Sequence, residues 1–189
     1  ADASQAEITR DSREVASRIR FEATATGTII VFKAVSDVIT DSALTSLALA
    51  LGATAVFLVG IYWLLEGRPL LGIANTVPIA VTVAAIAASM RYGDIPLNAL
   101  TGTILSIAIG LGIDYSAHVV HRFSEEFDDD DDVYEALEAT VRGTGGALTG
   151  SMLTTVTGIG VLVLAITPIL GQFGLLTGLS ILYSFLASI

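Results

Sequence analysis

The sequence predicts an all-α polytopic membrane protein, and three observations carry that reading. Of its 189 residues 53% are hydrophobic and 15% charged, whereas a soluble domain of this length carries about 25% charged residues. The mean hydropathy is +0.75. Residues 42–65, 69–90, 95–113 and 143–189 hold no charged side chain at all. A hydrocarbon core about 30 Å thick is crossed by about 20 apolar residues in helix. The first three stretches therefore make one span each, and the last makes two around a turn. A soluble enzyme, a disulfide scaffold and a disordered chain are excluded.

Residues 1–41 read as the end of a soluble domain followed by an amphipathic lead-in. Apolar residues at Ala6, Ile8, Val15, Ala16 and Ile19 partly match helical spacing, and Thr24–Thr28 reads as a break. Ile29–Val31 is either a short strand or the start of the next helix. From Phe32 the pattern Phe32, Val35, Val38, Ile39 is amphipathic and leads toward the first span. The transmembrane domain covers residues 42–189. Its first span, about 42–65, ends at Tyr62-Trp63, an aromatic pair suited to a headgroup boundary. Glu66–Pro69 turns the chain into a second span, about 70–90, in which Pro78 removes a backbone hydrogen bond. Pro96 suits the first helical turn of the third span, about 97–121. The polar segment 122–142 reads as an amphipathic helix on the membrane surface, with Val133, Ala136, Leu137 and Val141 on one face and Asp128–Asp132 at its N-terminus. The five Asp have an alternative reading as ligands of a divalent cation, without the fixed spacing of a calcium loop. The last two spans are placed at about 145–167 and 172–189, with Pro168–Gly171 as the turn.

The charge balance is 19 acidic against 9 basic residues, a net −10. Binding of nucleic acid or anionic lipid needs basic patches, so neither is expected; the acidic excess also suits a proteome adapted to high salt. Cysteine is absent, which removes thiol chemistry, and two His without a third ligand make no zinc site. No metal and no cofactor are expected. Five spans put Arg68, Arg122 and Arg142 on one side and Lys33 and Arg91 on the other. By the positive-inside rule the first side is cytoplasmic, which puts the N-terminal segment outside the cell at the plasma membrane. The chain opens Ala1-Asp2-Ala3 and stops in an apolar run at Ile189; the expectation is a piece of a longer protein.

One ionisable residue stands deep in a span. Asp114 lies eight residues before Arg122, roughly 12 Å inside the boundary at 1.5 Å per residue. A charged carboxylate facing lipid there costs at least about 2.5 kcal/mol, so it must face other helices, find a partner or be neutral. Two readings follow. Low-dielectric surroundings favour the neutral form, which suits a group that takes up and releases a proton; alternatively, a protonated Asp fastens two helices. Tyr115 adjoins it, and His118 shares its face four residues on. His118 could relay protons, or it could snorkel toward the polar boundary as basic helix ends do. Gly110 and Gly112 allow close backbone approach, and Gly146-xxx-Gly150 and Gly174-xxx-Gly178 match the small-xxx-small packing pattern. Ser151, Thr154 and Thr155 carry hydroxyls able to meet the carboxyl.

These residues have a family likeness. The stretch Gly110-Leu-Gly-Ile-Asp114-Tyr115-Ser-Ala-His118, followed by Arg122-Phe-Ser-Glu125-Glu126, resembles one half of the transporter domain of the resistance–nodulation–division (RND) superfamily. It is most similar to the branch of large lipid exporters and Patched-like proteins, and the order of elements agrees over almost the whole chain. Protein-export subunits of that superfamily read Asp-Ala-Asn where this chain has Asp114-Tyr115-Ser116. The resemblance implies a pump of about twelve spans in two halves, of which this chain holds five helices of a six-helix half with a short extracellular α(+β) remnant. It also implies that Asp114 and Tyr115 form a proton relay, and that the partners are the other half (same precursor or second copy), membrane lipids and a hydrophobic substrate. The implied function is export of lipids or other hydrophobic compounds driven by the proton-motive force, by a secondary transporter and not an enzyme. The alternatives are a non-pumping, sterol-sensing-like lipid receptor and a protein-export accessory subunit.

Overall fold

A computed structural model describes residues 5–18, 27–127 and 132–189. Six α-helices follow one another: α1 Gln5–Ser17, α2 Thr28–Glu66, α3 Pro69–Tyr92, α4 Ala99–Glu126, α5 Val133–Gly160 and α6 Pro168–Ser188, with a 3-10 turn at Val161–Leu164 after α5. All but α1 are long and apolar enough to cross a membrane. Among the described residues there is no strand, and Ile29–Val31 belongs to α2.

The helix ends show why the chain turns where it does. α2 has 39 residues, about 58 Å at 1.5 Å per residue, nearly twice the hydrocarbon thickness. The lead-in from Phe32 and the span after it are therefore one rod. It stops at Gly67, whose φ of 68° is the left-handed conformation glycine adopts at little cost. Gly67 N–H donates to Trp63 O at 3.1 Å and Arg68 N–H to Tyr62 O at 3.3 Å, closing the last turn as helix C-caps do. Pro69 then occupies the first turn of α3, where its missing N–H costs nothing.

The third span starts differently from expectation. Pro96 lies outside it, and Asn98 caps it, its side chain accepting from Leu100 N–H (2.9 Å) and Thr101 N–H (3.0 Å) while Asn98 N–H donates to Thr101 Oγ1 (2.8 Å). This reciprocal box satisfies three N–H groups that a helix start leaves open. Asn98→Ala should lower thermal stability by about 1 kcal/mol, the usual worth of such a cap, and Asn98→Ser should restore most of it. Equal melting midpoints for Asn98→Ala and the unaltered protein would show that the cap contributes nothing.

Segment 122–142 is not a separate surface helix. Its first part ends α4, and residues 133–142 are the opening turns of α5, which Asp132 caps through Tyr134 N–H (3.0 Å). No proline interrupts Val133–Gly160, so nothing stops the helix short of the span. Ala136 is buried as the pattern suggests, but Val133, Leu137 and Val141 are exposed. Residues 128–131, most of the acidic run and its cation reading, lie outside the described residues, as do 24–26 of the expected break. α6 begins at Pro168 and not near Gln172, because proline suits a first helical turn.

The core sits around α4 and α6. One apolar cluster joins Leu58, Ile79, Ile86, Ile104, Leu105, Ala108, Ile109 and Leu176 across α2, α3, α4 and α6. A second joins Tyr115, Leu148, Met152, Ile181 and Phe185 across α4, α5 and α6. Glycines set the closest approaches. A Cβ on Gly72 would lie 2.5 Å from Val59 Cα, one on Gly174 would lie 2.7 Å from Leu162 Cβ, and one on Gly112 would lie 3.3 Å from Ile79. The expected packing roles of Gly110, Gly146 and Gly150 are not realised within this chain, because nothing lies within 4 Å of a Cβ at any of them. Those three face outward, since the helices that cover α4 and α5 here approach from their other sides.

Candidate functional site: a cleft between α4 and α5

The close approach at Gly112 seats α4 against α3 and α6, with Ile79 on one side and Ser184 Oγ 3.6 Å away on the other. With 100° per residue, that seating turns Tyr115 and Ser116 inward and leaves Asp114 and His118 on the side toward α5. A cleft of about 650 Å3 opens there. Asp114, Tyr115 and His118 line it from α4, and Thr144, Ser151 and Thr155 line it from α5, among Leu111, Ala147 and Leu148.

Within the cleft, Tyr115 is 7% exposed, and its ring meets Phe185 of α6 edge-on at 6.0 Å. That packing pins the α4 backbone beside Asp114. Asp114 and His118 are exposed in this chain. The sequence brought forward three hydroxyls, and the structure separates them. Ser151 and Thr155 share the cleft with Asp114, whereas Thr154 lies off it and donates to Gly150 O at 2.8 Å. Thr155 likewise donates to Ser151 O at 2.8 Å. Among the described residues no hydrogen bond or ion pair reaches the Asp114 carboxyl. The arrangement is an acid facing open, hydroxyl-lined space within a spanning helix, with an imidazole one turn away.

A second polar set escaped the sequence. Ser116 Oγ donates to Asn75 O at 2.9 Å, and Asn75 Nδ2 donates to Tyr62 Oη at 3.4 Å, which ties α4, α3 and α2 together in the core. Toward the end of α4, His121 Nδ1 lies 3.4 Å from Glu66 Oε1 and its Nε2 3.5 Å from Glu125 Oε1. Arg122 pairs with Glu125 at 3.2 Å and also with Glu126, so the basic and acidic residues that close the quoted stretch form ion pairs along one helix. The signal available in the sequence was Asn75, the one side-chain amide in the second span.

Five helices long and apolar enough to cross a membrane, one of them carrying an acid well inside its length, define a polytopic membrane protein. Comparison with known proteins makes this specific: the model of the MMPL family matches residues 1–189, and the chain belongs to that family, within the RND superfamily. It is 32% identical over 160 residues to a membrane protein of Methanocaldococcus jannaschii, covering 85% of this chain and 40% of that one. It is 28% identical over 118 residues to the apo-petrobactin exporter of Bacillus anthracis, covering 60% of this chain and 16% of that one. A membrane protein of Streptomyces coelicolor is 32% identical over 107 residues, covering 56% of this chain and 12% of its own length. The chain thus spans less than half the length of each of these relatives. No solved structure matches it.

Proposed function

We propose that this chain is the membrane part of a secondary transporter that exports lipids or other hydrophobic compounds across the plasma membrane, driven by the proton-motive force, with Asp114 as proton carrier. The observation that carries the reading is the placement of Asp114. It stands in a membrane-crossing helix, beside a buried Tyr115, and faces a cleft lined by hydroxyls and His118. A carboxyl exchanging its proton there changes the charge of a low-dielectric seam by one unit. That is enough to alter how α4 packs on whatever faces it. The N-terminal segment lies outside the cell in this reading.

The partner is the other half of the pump, supplied by the same precursor or by a second copy. What supports it is unfilled surface on both helices of the cleft: Gly110, one turn before Asp114 on the same face of α4, and Gly146 and Gly150, on the face of α5 turned away from the cleft, have open space where side chains would be, and small residues are what close helix contacts in a membrane need. Gly150→Leu should leave insertion and the melting midpoint of this half within about 0.5 kcal/mol, as for other exposed sites. It should weaken association of the halves, read as loss of cross-links between single cysteines introduced into each half. Unchanged cross-linking in Gly150→Leu would place the partner elsewhere.

The apo-petrobactin exporter among the relatives supports export as the activity. Transport by the complete protein in vesicles should stop when an ionophore collapses the proton gradient. A lipid receptor would instead bind its ligand equally well with and without the gradient, and that outcome would overturn the pump.

A further inference from the structure

We infer that the cleft between α2, α3 and α4, on the bundle end that holds the Glu66–Pro69 turn, binds the ammonium group of an amphiphilic amine. The cleft measures about 240 Å3. It is separate from the one beside Asp114, and His121, not His118, stands at its edge. Its polar wall is rich in acceptors: the Glu66 carboxylate, the Tyr62 hydroxyl and Asn75. Asn75 has no exposed surface, and its Oδ1 has no hydrogen-bond partner. A buried carbonyl left in that state calls for a donor. Glu66 is similarly short of compensation. Its side chain is 26% exposed, and its neighbours are His121 at 3.4 Å and the Ser124 hydroxyl at 3.5 Å, both beyond the 2.7–2.9 Å usual for a full charge-assisted bond. His121 is itself shared with Glu125. Among the described residues no Lys or Arg lies within ion-pair distance of Glu66, and none lines the cleft.

The missing partner is thus a compact cation with several donors. A primary ammonium offers three N–H groups: Glu66 and Tyr62 Oη are acceptors on the cleft wall, and Asn75 Oδ1, which has no accessible surface in this structure, becomes the third when Asn75 turns toward the cleft. The remaining wall, Leu58, Ile61 and Leu65 of α2, is an apolar strip, so the cation carries a hydrocarbon chain. The depth agrees, because the cleft lies beside Tyr62-Trp63, where aromatic side chains mark the headgroup level. The volume is below the 300–1,000 Å3 of sites that enclose a whole drug-sized ligand; it suits a headgroup and its first carbons, with the tail in the bilayer. Among the residues that line the cleft there is no Lys or Arg to meet a phosphate beside the amine, so the ligand that fits the wall best is a simple amphiphilic amine.

The test uses the complete protein in phosphatidylcholine nanodiscs with a photoreactive long-chain alkylamine and the matched alcohol, labelling sites being mapped by mass spectrometry. No gradient or transport is involved, so the result is independent of whether the protein pumps. The amine should label residues 58–65 at least fivefold more than the alcohol. Unlabelled dodecylamine, and not dodecanol, should compete it away in the unaltered protein. Glu66→Gln should bring amine labelling down to the alcohol's level, and Glu138→Gln, an exposed acid on α5, should leave it unchanged. Equal labelling by amine and alcohol overturns the site, as does competition by dodecanol or amine labelling in Glu66→Gln at the unaltered level.

Discussion

Asp114→Asn in the complete protein is expected to reach the membrane in normal amount and to lower transport by about 100-fold or more, the lower range of what loss of a positioned proton-transfer group costs. The amide keeps the size and most of the polarity of the acid, and among the described residues no hydrogen bond depends on the carboxyl, so stability should hardly change. What is lost is the ability to alternate between charged and neutral. Asp114→Glu restores that ability with the acid displaced by one methylene, and should recover part of the activity. Tyr115→Phe keeps the ring against Phe185 and should fall between the two. A fully active Asp114→Asn, measured as flux per inserted molecule, would remove the acid from the mechanism.

The largest effect on stability is expected at Gly72. A Cβ there would lie 2.5 Å from Val59 Cα, 2.6 Å from Val59 N and 2.7 Å from Leu58 O. All three are backbone atoms of α2, which no rotamer change can move aside. Gly72→Ala must therefore push α2 and α3 apart along the seam that also holds Tyr62 against Asn75. Forcing extra atoms into a packed interface costs about 1–3 kcal/mol, and rigid neighbours put this site at about 3 kcal/mol or above. Gly60→Ala is the control on the same helix pair. Nothing lies within 4 Å of a Cβ there, and replacing a mid-helix glycine gains up to about 1 kcal/mol of helix propensity. The two substitutions should shift the melting midpoint in detergent in opposite directions; a shared direction would mean that the α2–α3 approach is looser than described.

The contrast between these glycines also explains how far the sequence could be read. The spans were legible because about 20 successive residues without a charge are what a bilayer-crossing helix requires and what a soluble helix seldom has. Asp114 stood out as a charge where charge is expensive. His118 followed from helical spacing, Tyr115 from the family resemblance, and Ser151, Thr154 and Thr155 from their hydroxyls; all but Thr154 line the same cleft. Gly146 and Gly150 matched a packing motif and Gly110 stood beside the acid, yet all three face open space, whereas Gly72 was not singled out and makes the tightest approach. Spacing tells which residues share a face, not which helix covers that face. For the same reason Asn75, Ser116 and Tyr62 were missed, since their contacts join positions 41 and 13 residues apart on three helices. The boundaries of α4 and α5 turned on caps. Asn98 and Asp132 satisfy N–H groups at the helix starts, and with no proline in Val133–Gly160 the helix that Asp132 starts runs on through the change from polar to apolar residues on which the polar segment was separated from its span.

The most direct measurement is substrate-driven proton movement, recorded with a pH-sensitive dye inside proteoliposomes of the complete protein. With a carboxyl at position 114 that loads and releases protons, adding substrate should move protons against the direction of substrate flow, and the signal should vanish in Asp114→Asn. Proton movement that persists at the same rate in Asp114→Asn, or substrate flux with no proton movement in the unaltered protein, would contradict it.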